Sequence, residues 1–286
     1  MVSNFNDLHR LIQGAPPKNV ALVAAEDQVL IEAVIKAQQA GLARFILLGD
    51  GAKIAELVAG YTSAFEIIDS QTPAIDAVSA IHQGRADLLM KGKLPTGDLL
   101  KAVLDRKTGL RKGALLNHIA VVESPAYHKL LFISDGGINL HFDEQTFIHM
   151  THNIADYLKG LGVDDPRFAM LALVETVNEK IPETVIAKNV VKKLCSEFRI
   201  EGPIAPDVAL SAVAAKKKGL DSKIAGEVDV FLMPNTTAAN HLVKGLSALG
   251  GCLVGGVIVG AKVPIILLSR SDDTETKFRS ILLGLV

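Results

Sequence analysis

The chain has 286 residues, 49% of them hydrophobic, which is length and apolar content enough for one large or two medium domains with packed cores. Its 30 basic and 31 acidic residues leave a net charge of -1, so the basic footprint that nucleic-acid binding requires is absent. Trp is absent and aromatics make up only 5%, a profile that suits layered α/β cores of Ala, Val, Ile and Leu, and no low-complexity tract or long charge run marks a disordered tail.

In chain order, residues 1–7 have neither a basic n-region nor an apolar h-region, so a cytoplasmic protein is expected. Residues 20–25 are a strand candidate, followed by a helical stretch with Leu30, Ala33, Val34 and Ala37 on one face. Further strand candidates at 45–48, 65–68 and 87–90 are separated by helical spacing, a βαβ rhythm that predicts a parallel sheet. Strands at 119–122 and 130–134 follow one another with no helix between them, which predicts an antiparallel step or a change of sheet, and with it a domain crossing. Strands at 168–174 and 229–233 come next, with long helices between the later elements.

Residues 246–268 are almost wholly apolar and about long enough to cross a bilayer, but Lys262, Pro264 and the glycines divide them. Two short buried strands around a Gly260-Ala261-Lys262 turn are expected instead of a membrane span. The second, at 263–268, reads as buried on both faces. Phe278, Ile281, Leu282 and Leu285 then trace one face of a helix that begins near Asp272. Asp272 is its expected N-cap and Glu275 its capping-box acid. Cys195 and Cys252 provide no disulfide framework and fit a reducing compartment.

The chemistry-bearing residues cluster where apolar strands end and helices begin, which is where open α/β sheets bind ligands. Ser269 and Arg270 leave the last strand, and a guanidinium beside a helix N-terminus suits phosphate or a developing oxyanion. Lys91, Gly92, Lys93 and Thr96 occupy a second strand-to-helix junction, without the glycine spacing of a Walker motif. Ser134-Asp135-Gly136-Gly137-Ile138-Asn139 ends a third strand, where the glycines permit either close approach to a ligand or a tight turn. Asn235, Thr236, Thr237 and Asn240 stand at a fourth junction, with helix capping as their simplest role. His141, Asp143, His149 and His152 lack a third metal ligand at a diagnostic spacing and read as residues of a solvated helix, so no metal site is expected. Gly49-Asp50-Gly51 is followed by Ile54 where a dinucleotide fingerprint needs its third Gly. Nothing acidic or basic stands beside Cys252 to activate it as an acyl acceptor.

Together these residues resemble the phosphate acetyltransferase/phosphate butyryltransferase family, and the short chain resembles the butyryl branch. The resemblance runs through nearly the whole chain. It is most specific at Met90-Lys91-Gly92 with Thr96, at 134–139, at 174–184 and at Lys262-Val263-Pro264 through Ser269-Arg270. It implies two α/β domains with a central cleft, in an architecture like that of isocitrate and isopropylmalate dehydrogenases. The first, 1–120, is completed by 262–286, and the second spans 121–261. It also implies a homodimer or a larger assembly of dimers.

By the same resemblance Ser269 and Arg270 match the family's catalytic pair, Thr96 a residue near the phosphate-binding loop, and Arg111 a cleft arginine. Lys91, Gly92, Asp135, Asn139, Asn235 and Asn240 fall in the implied phosphate and coenzyme A site. The chain departs from the family at Asn235, where many relatives have Asp. It departs also in its acids, since Asp272, Asp273 and Glu275 lie at other offsets from the Ser-Arg pair than the acetyl enzymes' Asp. Asp272 is taken first as the base.

The implied reaction is acyl-CoA plus phosphate giving acyl phosphate plus coenzyme A, by direct attack in a ternary complex. The acyl group expected is butyryl or a branched short chain, with acetyl-CoA as the alternative. Coenzyme A enters as a thioester substrate, and no other cofactor, metal, membrane or nucleic-acid partner is called for. Two rivals share the architecture: a metal- and NAD-dependent hydroxy-acid dehydrogenase, which needs grouped aspartates not found at these junctions, and a non-catalytic sensor of coenzyme A or acyl phosphate.

Overall fold

The computed structural model describes residues 2–61, 64–267, 269 and 272–286. The chain folds into two compact α/β units, one made of Phe5–Ala114 with Gly255–Val286, the other of Leu115–Val254 with the first residues of the chain.

The unit completed by the C-terminus carries strands β1 (Lys18–Val23), β2 (Ala43–Gly49), β3 (Glu66–Asp69), β4 (Leu88–Lys91), most of β10 (Leu253–Val259) and β11 (Ile265–Ile266). Their order is β3-β2-β1-β4-β11-β10. All run parallel except β10, which pairs antiparallel with β11 through Ile258 and Ile265. The expected parallel array follows from the aliphatic runs, since Val20 to Val23 are fully buried.

The helices of this unit are α1 (Phe5–Gln13), α2 (Gln28–Gln39), α3 (Gly51–Leu57), α4 (Pro73–His82), α5 (Thr96–Val103) and α11 (Thr274–Gly284). The predicted face of α2, Leu30, Ala33, Val34 and Ala37, is buried, and Asp27 caps the helix by accepting from the Leu30 N–H at 2.8 Å. Helix α11 packs against α2 and seats closely over β10. A Cβ on Gly255 would lie 2.9 Å from Leu283 Cδ1, and the Gly256 N–H donates to Ser280 Oγ at 3.0 Å.

The last strand is shorter than 263–268. Strand β11 comprises Ile265 and Ile266; ahead of it Pro264 O accepts from the Leu89 N–H at 3.3 Å and the Lys262 N–H donates to Leu110 O at 2.8 Å, and Leu268 lies outside the described residues. Residues 246–266 thus comprise the end of a helix, β10, a turn and β11. Among the described residues no helix is long and apolar enough to cross a membrane.

The second unit carries β5 (Asn117–Glu123), β6 (Leu131–Ser134), β7 (Arg167–Leu171), β8 (Arg199–Ile204) and β9 (Val230–Leu232), in the order β5-β6-β9-β7-β8. The antiparallel step expected between 119–122 and 130–134 is present, with Ile119 opposite Ser134 and Val122 opposite Leu131. The other pairings are parallel. Strand β8 is not among the strands expected from the sequence. As an edge strand it tolerates Pro203, and Gly202 is needed where a Cβ would stand 2.5 Å from Met170 Cβ. The helices include α6 (Glu144–Gly160), α7 (Pro182–Leu194), α8 (Pro206–Ala209), α9 (Ala212–Lys217) and α10 (Thr236–Leu249).

Two features fix the start of β6, β9 and β7 relative to one another. The buried Lys129 ammonium meets Asp229 Oδ1 at 2.6 Å, and Asp229 Oδ2 accepts the Arg167 N–H at 2.8 Å. With both charges paired and hydrogen-bonded, the burial that would otherwise be costly is offset.

Candidate active site

Each unit gathers polar residues at the carboxyl ends of adjacent parallel strands. In the unit completed by the C-terminus, β4 and β11 lie side by side with Leu89 opposite Ile265 and Met90 opposite Ile266. Lys91 and Gly92 therefore emerge at the same strand end as the segment leading to Ser269.

Lys91 is only 6% exposed, and its ammonium donates to Gly92 O at 3.1 Å and Leu94 O at 3.0 Å. It closes the turn at 91–96 with its own side chain. Gly92 is required by close approach to β1: a Cβ there would lie 2.1 Å from Ala24 O and 2.6 Å from Val23 O. The turn is tied to β1 by the Gly92 N–H on Val23 O at 2.7 Å and the Lys93 N–H on Ala24 O at 2.6 Å. Thr96 is half-buried at the first position of α5, whose N-cap, Pro95, offers no side-chain acceptor. That arrangement leaves the first-turn N–H groups without the usual side-chain cap.

Ser269 is exposed, and its N–H donates to Asp272 Oδ2 at 2.7 Å, while the Asp272 N–H reaches Ser269 O at 3.3 Å. Arg270, the other half of the expected pair, lies outside the described residues.

The cap of α11 is one residue later than expected. Asp273, not Asp272, is the N-cap, accepting from the Thr276 N–H at 2.7 Å. The Thr276 hydroxyl and N–H together hold the Asp273 carboxyl below the ordinary carboxylate range. Glu275 does not fold back as a capping-box acid either, because Lys36 of α2 takes its carboxylate at 2.6 Å.

Arg111 belongs to the same unit. Its backbone bridges Ala261 in the link from β10 to β11.

In the second unit, Asp135 follows β6 and is fully buried. Its Oδ1 accepts the N–H groups of Gly137 at 2.8 Å and Ile138 at 3.0 Å, and its Oδ2 accepts the Asn139 N–H at 3.2 Å and Nδ2 at 2.5 Å. The carboxylate that looked like a ligand contact is thus spent on its own turn. Asn139 Nδ2 also donates to Leu116 O at 2.8 Å.

The end of β9, beside β6, supplies Asn235, which caps α10 by accepting from the Ala238 N–H at 2.8 Å. From α10 the Thr236 hydroxyl donates to Asn139 O, and Asn240 Nδ2 to Gly136 O at 3.3 Å. Thr236 and Asn240 thus tie the start of α10 to the turn that Asp135 and Asn139 hold, and Asn235 caps the same helix.

Sequence reasoning missed the support beneath that group. Buried Asn117 donates to Ser134 Oγ at 2.9 Å, Ser134 Oγ donates to His118 O at 2.9 Å, and Asn153 Nδ2 reaches Asn117 Oδ1 at 2.9 Å. The one available signal was an Asn at the start of an apolar strand. Of the histidines, His152 lies 3.4 Å from Glu197 and edge-on to Phe198, and Asp143 caps α6 through the Thr146 N–H at 2.7 Å. Among the described residues no group of three or more His, Cys, Asp and Glu is placed to hold a metal ion.

Comparison with known proteins narrows what these strand ends serve. A family model described as phosphate acetyl/butaryl transferase matches residues 55–284. The chain is 34% identical over 295 aligned positions to a phosphate butyryltransferase of Clostridium acetobutylicum, covering 99% of this chain and 98% of the relative. It is 35% identical over 279 positions to a phosphate acetyltransferase of Thermotoga maritima, covering 94% and 95%. A solved branched-chain phosphotransacylase from Enterococcus faecalis V583 superposes with a TM-score of 0.85 at 30% identity, covering 93% of this chain and 97% of that one.

Proposed function

The chain belongs to the phosphate acetyl/butaryl transferase family, and on that footing we propose that it moves a butyryl or branched short-chain acyl group between coenzyme A and inorganic phosphate, in a ternary complex. The observation that carries this reading is the parallel pairing of β4 with β11, which puts the turn at 91–96 and the Ser269/Asp272 pair at one strand end.

In this scheme a phosphate oxygen attacks the thioester carbonyl carbon. A C–O bond forms, the C–S bond breaks, and coenzyme A leaves as a thiolate that takes up a proton. Both substrates are anionic, so repulsion must be offset and the reactants aligned. Arg270 supplies the fork of donors, and the Lys91 ammonium and the N–H groups at the start of α5 add positive potential at the end of β4. The Ser269 hydroxyl donates to the thioester oxygen or to the departing thiolate, stabilising charge as it develops. Asp272 takes the proton of the attacking phosphate. Asp135, Asn139, Asn235 and Asn240 are the second unit's proposed contribution to coenzyme A binding, and Arg111 is proposed as a further arginine for phosphate or coenzyme A. Acyl transfer leaves every oxidation state unchanged, so coenzyme A is a substrate and no redox group is called for.

The two units are proposed as the domains of an architecture like that of isocitrate and isopropylmalate dehydrogenases, in a cytoplasmic homodimer or assembly of dimers that light scattering would size. Purified protein given butyryl-CoA and phosphate should release thiol, and Arg270→Ala should slow that release by about a hundredfold or more. An unchanged rate in that variant removes Arg270 from the scheme. Acetyl-CoA in the same assay tests the acetyl alternative, which the Thermotoga maritima relative supports.

A further inference from the structure

Helix α11 carries a lysine on a face that is otherwise packed against the sheet. Lys277 is 4% exposed, and the same face buries Ser280, Ile281 and Gly284. Its seat on the strands is close. A Cβ on Gly284 would stand 2.5 Å from Ile266 Cγ1 of β11 and 2.9 Å from Leu88 Cδ1 of β4, and the Gly256 N–H of β10 donates to Ser280 Oγ at 3.0 Å. The helix that holds Lys277 is therefore a fixed base.

A lysine is disfavoured here twice over. Burial strips water from the ammonium, and the first turn of a helix is the end that repels a cation. Among the described residues the Lys277 ammonium pairs with no carboxylate; it donates to the backbone carbonyl of Asp272. Helical side chains lean toward the helix start, so a long one from the first turn can reach back past the cap to the segment before it. Asp272 in turn holds Ser269, whose N–H its Oδ2 accepts at 2.7 Å and whose carbonyl its own N–H reaches at 3.3 Å. One line of contacts thus runs from the sheet through α11 and Lys277 to Asp272 and on to Ser269, which is exposed. The neighbouring turn, at the end of β4, is held by the same device, with the Lys91 ammonium on Gly92 O and Leu94 O.

We infer that Lys277 is a positioning residue for the acyl transfer: from its fixed place on α11 it sets the turn that carries Ser269 and Asp272. Its burial keeps it off the substrate, so it acts only through those two residues. The inference rests on the acyltransferase reading and adds to it the group that places the proposed donor and base. A misplacement of about 1 Å in a group that acts on substrate costs about a hundredfold in rate, and partial slack costs less.

The test is thiol release from butyryl-CoA and phosphate by Lys277→Met, Lys277→Arg, Ser269→Ala and the combined Ser269→Ala/Lys277→Met variant, with each denaturant midpoint measured alongside. Lys277→Met should lower kcat by about tenfold or more with the KM for butyryl-CoA within about threefold. Made on Ser269→Ala, the same substitution should have at most about a third of that effect, because part of what it displaces is already gone. Lys277→Arg keeps a cationic donor and should be faster than Lys277→Met by about fivefold or more. If Lys277→Met does not fold, Lys277→Gln takes its place in both backgrounds. An equal loss of kcat with and without Ser269 is what a general loosening of the fold gives, and it overturns the inference. So does a Lys277→Arg protein as slow as Lys277→Met, or a rise in the KM for phosphate with kcat unchanged, which would assign the ammonium to binding alone. Failure of the unsubstituted protein to release thiol from butyryl- or acetyl-CoA refutes the transferase reading itself, and this inference with it.

Discussion

Gly92→Ala tests the reasoning most directly, because the atoms that would resist it are backbone. The added Cβ would lie 2.1 Å from Ala24 O, 2.6 Å from Val23 O and 2.9 Å from the Ala24 carbonyl carbon. Ordinary C···O contacts run at about 3.3–3.6 Å, so the turn at 91–96 must move off β1 by about 1 Å. That shift stretches two backbone hydrogen bonds, from the Gly92 N–H to Val23 O and from the Lys93 N–H to Ala24 O. Each is worth about 0.5–1.5 kcal/mol net. Overpacking strain adds about 1–3 kcal/mol. Since relief of strain and loss of hydrogen bonds trade against each other, the expected destabilisation is about 2–4 kcal/mol. A misplacement of about 1 Å in a group that positions substrate costs about a hundredfold in rate. Denaturant unfolding measures the first effect and thiol release from acyl-CoA the second. Gly97→Ala is the paired control: nothing lies within 4 Å of its Cβ, and in the first turn of α5 alanine should stabilise by about 0.5–1 kcal/mol. A Gly92→Ala protein with wild-type stability and rate would show that the approach of β1 does not set the position of this turn.

The other predictions concern the carboxylates. Asp135→Ala removes the acceptor for three backbone N–H groups and one side-chain amide in a buried turn. It should destabilise by about 3 kcal/mol or more in denaturant titration, an outcome that a carboxylate serving only ligands would not give. Asp273→Asn keeps the cap, since Asn is as good an N-cap, but abolishes the titration; stability at pH 7 should change by less than about 0.5 kcal/mol. Because the folded-state pKa of Asp273 is depressed, its contribution is complete above about pH 4 and is lost as pH falls through the folded value. The loss of stability between pH 5 and about pH 2 should therefore be smaller in Asp273→Asn than in the unsubstituted protein, read from denaturant midpoints across that range. Lys36→Met, which breaks the exposed pair with Glu275, should cost no more than about 1 kcal/mol in the same titration.

How far the sequence could be read depended on the range of the interaction that decides each feature. The face of α2 and the strands at 20–25 and 45–48 were legible because a run of aliphatic residues commits locally to burial. The antiparallel step at β5 and β6 was legible because seven residues cannot hold a crossover helix. Four strand-to-helix junctions were found for the same reason, as polar and glycine residues interrupt an apolar run. The cap of α11 was misplaced by one residue, since Asp272 and Asp273 are equivalent in sequence and only the hydrogen bond from the Ser269 N–H distinguishes them. Likewise the engagement of Glu275 depends on Lys36, 239 residues away, and the position of Arg111 on Ala261. Such contacts leave no local trace.

The same geometry changes what the junction residues do. Lys91 donates to Gly92 O and Leu94 O, Asp135 accepts four hydrogen bonds from its own turn, Asn235 accepts from the Ala238 N–H and Asp272 from the Ser269 N–H. Residues that the sequence marks as ligand contacts thus hold the turns that present other groups. Two kinds of variant should follow. Substituting a turn-holding residue moves backbone, so its effects on rate and on stability should rise together. Substituting a group that acts on substrate leaves the turn in place, so its effect on rate should come without a change in stability. Ser269→Ala, which keeps the backbone N–H that Asp272 binds, belongs to the second kind. It should lower the rate of thiol release by about tenfold or more while the denaturant midpoint stays put. Asp272→Ala belongs to both, because it removes the acceptor for that N–H along with the proposed base. If Ser269→Ala lost stability in proportion to rate, the Ser269 hydroxyl would be one more internal support, and the catalytic donor would have to be sought elsewhere at this strand end.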